Sequence, residues 1–152
     1  MTSERMLVND ARLSMAPATP ADIVFVEWLT RSNMAAYRAA RQIAWDPARF
    51  LDSWHRFESR LILADGGRVG VLQLFEVDGA LEIRDLQLVP GFQGRGIGSW
   101  ALAQVQSEAL ARDIGTLRLR VFVENPAQRL YLRLGFRVEA VIDGTIHMAR
   151  CA

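Results

Sequence analysis

A glycine-rich run, from Gln93 to Gly98, is the part of the sequence whose residue types are best suited to chemistry. It reads Q-G-R-G-I-G and falls between a predicted strand and a predicted helix. Glycine lets the backbone approach a ligand closely, and the free N–H groups of a first helical turn point toward an anion placed there. The run therefore predicts an anion site, for which a pyrophosphate is the natural occupant.

Two other phosphate-binding loops are excluded by spacing. A dinucleotide-binding fingerprint needs G-x-G-x-x-G after the first strand of a parallel βαβ unit. Gly94, Gly96 and Ser99 only approximate that pattern, and they follow an antiparallel run of predicted strands late in the chain. A Walker A loop needs a lysine directly after its last glycine, and none follows Gly98.

The elements that must hold this run are predicted from caps, turns and hydrophobic spacing. Thr19-Pro20 and Asp46-Pro47 each place a capping side chain before a proline, which is typical of a helix start. A strand over 12–16 precedes the first helix, which is predicted to end near Ser32. Three strands follow the second helix, over 60–64, 69–77 and 81–89, with turns at Asp65-Gly66 and Asp78-Gly79.

The rest of the chain continues this alternation. A helix is predicted over 97–113, closed by Gly115, and a short one runs from Asn125-Pro126 to Gly135. Strands are predicted over 117–121, 136–142 and 145–150. The order β-α-α-β-β-β-α-β-α-β-β predicts an α/β fold of α+β type, with a single mixed, mostly antiparallel twisted sheet of about six to seven strands flanked by about four helices. We expect one domain over 1–152, with a loosely ordered segment over 1–11.

Two motifs resemble those of one family. Gln93, Gly96 and Gly98 fit Q-x-x-G-x-G, which resembles the acetyl-CoA-binding motif of the GNAT superfamily of N-acetyltransferases. The segment from Asn125 to Phe136 is similar to the superfamily's N-x-x-A-x-x-L-Y-x-x-x-G-F signature, and is one residue shorter between its Asn and its Tyr. With the order of elements, the resemblance covers roughly residues 12–150 and extends to the GNAT-like fold.

The resemblance implies that acetyl-CoA is the co-substrate. The pantetheine arm is expected along the strand edge at Leu86 and Leu88, where a backbone N–H near Leu88 would bind the thioester oxygen. Asn125 is also expected to contribute to acetyl-CoA binding. The pyrophosphate is expected to bind the backbone N–H groups of Gln93, Gly94, Arg95, Gly96, Ile97 and Gly98. Arg95 would add a positive charge, and Ser99 would add a hydroxyl group.

The resemblance also implies direct transfer of the acetyl group to an amine, without an acyl-enzyme intermediate. Tyr131 stands where the superfamily's general acid stands, so it is predicted to protonate the departing thiolate. It lies one residue after Leu130, away from the stripe of Leu130 and Leu134, which favours exposure to a cleft. Glu82 resembles a base position of some members. Asp85, which faces oppositely on the same strand, and a chain of water molecules are the alternatives.

The acceptor is predicted to be a primary amine of a small molecule. In such folds the acceptor lies between the first two helices, the fourth strand and the final hairpin. A protein or peptide acceptor is the alternative, and a non-catalytic acyl-CoA-binding sensor is the alternative of another class. Core packing is the preferred explanation for each aromatic side chain in these regions, and a hydrogen-bonded surface histidine is the preferred interpretation of His147. The aromatic and histidine candidates for an acceptor pocket are Trp28, Tyr37, Trp45, Trp54, His55, Phe75 and His147.

Composition and charge argue against other classes of protein. The net charge is +1 without a basic run, so no nucleic-acid partner is expected, and no stretch approaches the roughly 20 apolar residues of a membrane span. Cys151 is the only cysteine, which favours a reducing, cytoplasmic setting. His55 and His147 are too isolated to predict a metal site.

The sequence does not fix the oligomeric state. Trp100 and the final hairpin are the candidate contacts of a homodimer.

Overall fold

The computed structural model describes residues 6–8 and 11–152. Short 3-10 turns at Pro20–Asp22 and Pro90–Phe92 precede the first and third helices. In chain order the strands and α-helices are β1 Met6–Val8, β2 Ala11–Pro17, α1 Ile23–Ala40, α2 Pro47–Arg56, β3 Glu58–Ala64, β4 Gly67–Val77, β5 Ala80–Leu88, α3 Ile97–Ala111, β6 Thr116–Phe122, α4 Ala127–Arg133, β7 Arg137–Ile142 and β8 Thr145–Cys151.

The strands follow the order β1-β2-β3-β4-β5-β6-β8-β7 in an eight-stranded sheet. β5 and β6 pair in parallel, whereas β1–β2, β2–β3, β6–β8 and β7–β8 are antiparallel. The predicted mixed, mostly antiparallel sheet and its order of elements are confirmed. Met6–Val8 adds a strand that the sequence pattern did not predict, and the rest of the expectation for 1–10 lies outside the described residues.

Three Asp-Gly pairs make the tight turns. At Asp78-Gly79 the φ angles are 51° and 73°, and at Asp143-Gly144 they are 49° and 73°. Asp65-Gly66 takes the same conformation, with φ angles of 50° and 81°. Positive φ at both central residues marks the turn type whose twist matches that of paired strands. The predicted turns at Asp65-Gly66 and Asp78-Gly79 are therefore confirmed.

Contacts divide the chain into two compact units. The first holds the described residues up to Gln73 together with Asp85–Gly98. Its core cluster comprises Val26, Leu29, Leu61 and Val71, with Phe50 and Trp54 packed against it.

Helix α1 of this unit is longer than predicted. It runs to Ala40 rather than ending near Ser32, because the alanine-rich residues beyond the apolar stripe are good helix formers. Helix α2 begins as predicted: Pro47 is its first residue, and Asp46 accepts a hydrogen bond from the Arg49 amide at 3.2 Å.

The second unit comprises Leu74–Arg84 and Ser99–Ala152. Its parallel pairing joins Ala80–Ile83 with Thr116–Leu119, so it involves the first half of β5. Helix α3 ends at Ala111, and Asp113 takes the left-handed conformation, with φ 61°, that was predicted for Gly115. Aspartate tolerates this conformation because its short polar side chain bonds locally.

Candidate active site

The glycine-rich run forms the link between β5 and α3. Gly94 has φ 70° and Gly96 has φ 82°, both in the left-handed region that favours glycine. A Cβ atom built on either residue would meet no atom within 4 Å, so the space in front of both is open. The turn can therefore present its backbone to a ligand at the start of a 15-residue helix, as a pyrophosphate site requires.

The side chains around the turn brace it. Arg95 donates a hydrogen bond from Nη1 to the Gly91 carbonyl at 3.1 Å, and its guanidinium lies 5.0 Å from the centre of the Phe92 ring. Ile97 is buried and anchors the first turn of α3, whereas Ser99 is half-buried. The charge of Arg95 thus lies on the turn itself, held by a carbonyl and an aromatic ring.

The carbonyl of Leu88, at the end of β5, accepts two side-chain hydrogen bonds. Asn33 Nδ2 on α1 donates to it at 2.9 Å, and Gln93 Nε2 donates at 3.0 Å. Asn33 Nδ2 also lies 3.1 Å from Gln87 Oε1. Helix α1, the end of β5 and the glycine-rich turn are therefore joined by one polar network.

Asp85 lies in the same network. Its carboxylate accepts hydrogen bonds from Gln87 Nε2 at 2.8 Å and from Thr30 Oγ1 at 3.3 Å. Burial raises the pKa of the Asp85 carboxyl above its ordinary value, and these two bonds and the charge of Arg38 offset part of that rise. The Asp85 carboxylate therefore binds a proton more tightly than an ordinary aspartate does.

Glu82 has a different environment. It is buried, with 8% of its surface exposed, and its carboxylate is paired with the Arg84 guanidinium. The two acids of β5 therefore have different partners.

Tyr131 is buried, with 9% of its surface exposed. Its ring meets that of Phe136 edge to face, with 6.1 Å between the ring centres. Exposure to a cleft was expected from its offset from Leu130 and Leu134, but those leucines are only half-buried and Tyr131 is the buried residue of α4. The short helix presents its tyrosine inward because a ring next to Phe136 removes more apolar surface from water.

Asn125 organises the start of α4. Its Oδ1 accepts a hydrogen bond from the Ala127 amide at 2.9 Å, which satisfies one of the free donors of the helix. The predicted Asn-Pro helix start is confirmed. At the other end, Arg150 Nη1 donates to the Leu134 carbonyl at 2.5 Å, where a cation is favourable.

Trp45, in the segment between α1 and α2, is held on several sides. Its indole Nε1 donates to Glu27 Oε2 at 3.2 Å, and the Phe50 ring centre lies 5.7 Å away. Arg38 and Arg31 place their guanidinium groups 4.9 and 5.8 Å from its ring centre. These contacts hold the segment against α1 and α2.

The other candidate aromatic side chains have separate roles. Trp54 packs on the core of the first unit, and Trp100 of α3 is buried in the second. Trp28 is 52% exposed, with its ring centre 6.1 Å from that of Phe25. Core packing therefore accounts for Trp54 and Trp100.

The structure distributes the predicted site residues between the two units. The first contains the turn from Gln93 to Gly98 with Leu86 and Leu88, and the second contains Glu82, Ser99, Asn125 and Tyr131. The sequence pattern did not single out Thr30, Asn33 or Gln87, because polar residues at such positions look like a solvated face.

Two absences apply to the described ranges. No helix there is both long enough and apolar enough to cross a bilayer. Nor do three or more His, Cys, Asp or Glu side chains gather there in a group that could hold a metal ion.

Residues 25–136 match the model of the acetyltransferase (GNAT) family. The match includes α1, the glycine-rich turn, Asn125 and Tyr131. The chain belongs to the GNAT family and is an acetyl-CoA-dependent acyltransferase. The resemblance stated from the two motifs is therefore confirmed, and acetyl-CoA is its co-substrate.

Solved structures share the fold at low sequence identity. The PaiA N-acetyltransferase from Thermoplasma acidophilum, in complex with coenzyme A, is 18% identical with a TM-score of 0.72, over 92% of this chain and 99% of that one. The ribosomal-protein-S18-alanine N-acetyltransferase from Escherichia coli is 20% identical with a TM-score of 0.71, over 91% and 93%. The GNAT domain of S. lividans PAT is 13% identical with a TM-score of 0.77, over 99% and 97%.

No protein of curated function matches the chain at a significant level. The three structures therefore support the fold, and the family assignment depends on the match over residues 25–136.

Proposed function

We propose that the protein transfers the acetyl group of acetyl-CoA directly to a primary amine of a small molecule. The observation that carries this proposal is the left-handed, open backbone at Gly94 and Gly96 directly before α3. Backbone donors of Gln93–Gly98 bind the pyrophosphate, and the half-buried Ser99 adds a hydroxyl. This arrangement suits a phosphate ligand because the N–H groups and the helix dipole act on the same anion.

The end of β5 positions the rest of the co-substrate. When bound, acetyl-CoA supplies a thioester carbonyl that an amine can attack. Leu86 and Leu88 offer backbone groups to the pantetheine arm, and a backbone N–H near Leu88 stabilises the negative charge that develops on the carbonyl oxygen. The bonds from Asn33 and Gln93 to the Leu88 carbonyl support this role, because they fix the strand end. Asn125 is proposed to act indirectly, through the start of α4 that it caps.

Tyr131 is the proposed general acid. A phenol can donate a proton to a departing thiolate, and burial against Phe136 restricts the ring to few orientations. This restriction supports a positioned proton donor.

Asp85 is the proposed base, in preference to Glu82. A base works best when its pKa lies near the working pH, and burial moves the pKa of Asp85 in that direction. Glu82 is less suited to this role because its carboxylate is already engaged by the Arg84 guanidinium.

A small acceptor is favoured over a peptide by the segment around Trp45. Its hydrogen bond to Glu27 and its contacts with Arg38 and Phe50 hold the segment between α1 and α2 in place. An open groove for a peptide would need this segment to lie away from the helices.

Calorimetric titration with acetyl-CoA tests the proposal first. We expect binding in about the micromolar range, and loss of binding in Gly96→Glu because the new side chain adds bulk and negative charge at the pyrophosphate site. Gly66→Glu is the matched control. Gly66 also has positive φ, 81°, and open space, but it lies in the β3–β4 turn. Equal binding by wild type and Gly96→Glu would overturn the pyrophosphate assignment.

Release of free thiol is then measured over a panel of amines and short peptides. Release stimulated by one class of small amine supports the proposal, and release stimulated only by peptides would transfer it to a peptide acceptor. Binding of acetyl-CoA without release for any acceptor would instead identify a sensor.

A further inference from the structure

A cavity of about 330 Å³ lies within the second unit, on the face of strands β4 to β8 that carries Glu82. It is large enough for a small organic molecule. Its charged and titratable lining comes mainly from neighbouring strands and includes Glu82, Arg84, Arg118, Arg120, Glu139 and His147.

Most of the charge in this cavity is already paired. Arg84 is paired with Glu82, and Arg118 Nε lies 3.6 Å from Glu139 Oε1. Arg120 differs, because among residues 11–152 its guanidinium has neither a hydrogen bond nor an ion pair. The Arg120 guanidinium is therefore a cation of the lining that has no partner in the described part of the chain.

The strand register places a second donor beside it. Arg120 and His147 are direct partners in the antiparallel β6–β8 pair, so their Cβ atoms lie about 4.5–5.5 Å apart on the same face. A hydrogen-bonded surface histidine was the preferred interpretation of His147. The structure instead has it half-buried and lining the cavity, and its imidazole has no hydrogen-bond partner in the described part of the chain.

The acidic residue Asp78 also lines the cavity, but from the β4–β5 turn. Strands β5 and β6 separate that turn from His147 on β8, and adjacent strands are about 4.8 Å apart. The hydrogen-bond donors of Arg120 and His147 are thus distinct from the negative group at Asp78.

We propose that Arg120 and His147 bind a carboxylate of the acceptor, so that the preferred acceptors are small amines that also carry a carboxylate group. The Arg120 guanidinium can donate two parallel hydrogen bonds to the two carboxylate oxygens, and the imidazole can donate a third. This inference rests on the proposed acetyl transfer for the identity of the ligand as an acceptor, but binding of the carboxylate can be measured without turnover.

Histidine NMR provides that measurement, because the chain has two histidines and His55 lies on α2, in the first unit. The probes are β-alanine and γ-aminobutyrate, each compared with its own amide, which keeps the amine and removes the negative charge. We expect saturable movement of the His147 ring resonances with the carboxylates, no movement with the amides, and fixed His55 resonances.

Arg120→Gln is expected to weaken carboxylate binding at least about tenfold, since a charge-assisted bond is lost. Arg137→Gln, which removes an exposed arginine of β7 outside the cavity lining, is the matched control and should bind as wild type does. Equal movement of His147 with both members of a probe pair would overturn the proposal. Unchanged affinity in Arg120→Gln would do so as well.

Turnover separates this inference from the proposed function. With acetyl-CoA present, kcat/KM should favour each carboxylate over its amide by at least about tenfold, and Arg120→Gln should reduce that ratio toward one. Failure to bind acetyl-CoA or to acetylate any amine would refute the proposed function, while the histidine titration would still decide the carboxylate site. Acetylation with no preference for the carboxylate would refute only the present inference.

Discussion

At the scale of single residues, Tyr131 combines a candidate proton donor with a packed ring. Replacing it with phenylalanine removes the hydroxyl and keeps the contact with Phe136. We expect Tyr131→Phe to lower kcat by about 100-fold, a typical contribution of a general acid, and to leave the acetyl-CoA dissociation constant within about twofold. Steady-state kinetics and calorimetry on the same preparation measure both values.

Tyr37→Phe is the control for this change, because Tyr37 is the other of the two tyrosines in the chain. Its kcat should fall far less than that of Tyr131→Phe. Equal kcat in wild type and Tyr131→Phe would remove Tyr131 as the acid.

The two acids of β5 can be separated in the same way. Asp85→Asn is expected to lower kcat by about 10- to 100-fold and to flatten the rise of kcat/KM with pH, because the group that must lose its proton is gone. Glu82→Gln is expected to cause a smaller loss and to keep that rise, since its carboxylate is paired with Arg84. The opposite order of effects would return the role of base to Glu82.

At the scale of elements, the end of β5 depends on a close approach to β4. A Cβ on Gly70 would lie 2.7 Å from the Gln87 carbonyl oxygen and 2.7 Å from Leu88 Cδ2. Gly70→Ala must therefore displace backbone at the strand end that Asn33 and Gln93 also hold. We expect a loss of about 1–3 kcal/mol in the free energy of unfolding, together with weaker acetyl-CoA binding.

Denaturant unfolding and calorimetry measure these two effects. Gly67→Ala on the same strand is the control, because its Cβ would meet only the Ala64 carbonyl oxygen, at an ordinary 3.5 Å. If both alanine variants had the same stability, close packing at Gly70 would not be what fixes the strand end.

At the scale of the whole molecule, Asp85 links stability to pH. Burial raises its pKa in the folded state above the ordinary value of 3.8, so the folded chain binds this proton more tightly than the unfolded chain does. Asp85 therefore contributes its full stabilisation at pH values below its pKa in the unfolded chain. That contribution is lost as the pH rises through its pKa in the folded chain. Asparagine stays neutral over the same range.

The difference in unfolding free energy, Asp85→Asn minus wild type, should therefore become more positive as the pH rises above about 4. Denaturant unfolding followed by tryptophan fluorescence measures it at each pH, since the chain has four tryptophans. A difference that stays constant with pH would contradict the raised pKa.

Much of the architecture could be predicted because it depends on neighbours along the chain. The Asp-Gly turns, the Asp46-Pro47 helix start and the glycine-rich turn all form from interactions within about four residues. Where local signals competed, the boundary was wrong: α1 continues past Ser32, and Asp113 rather than Gly115 takes the left-handed conformation after α3.

The sequence by itself determined the order of elements, the turn that presents Gly94 and Gly96, and through two motifs the family of the protein. Only the tertiary structure decided which side chains act on one another across long separations. Asn33 contacts Leu88 across 55 residues, and Thr30 contacts Asp85 across 55 residues. The pairing of Arg120 with His147 depends on the register of β6 and β8. Such contacts follow from packing and burial, which depend on the whole chain, so no local pattern of residues specifies them.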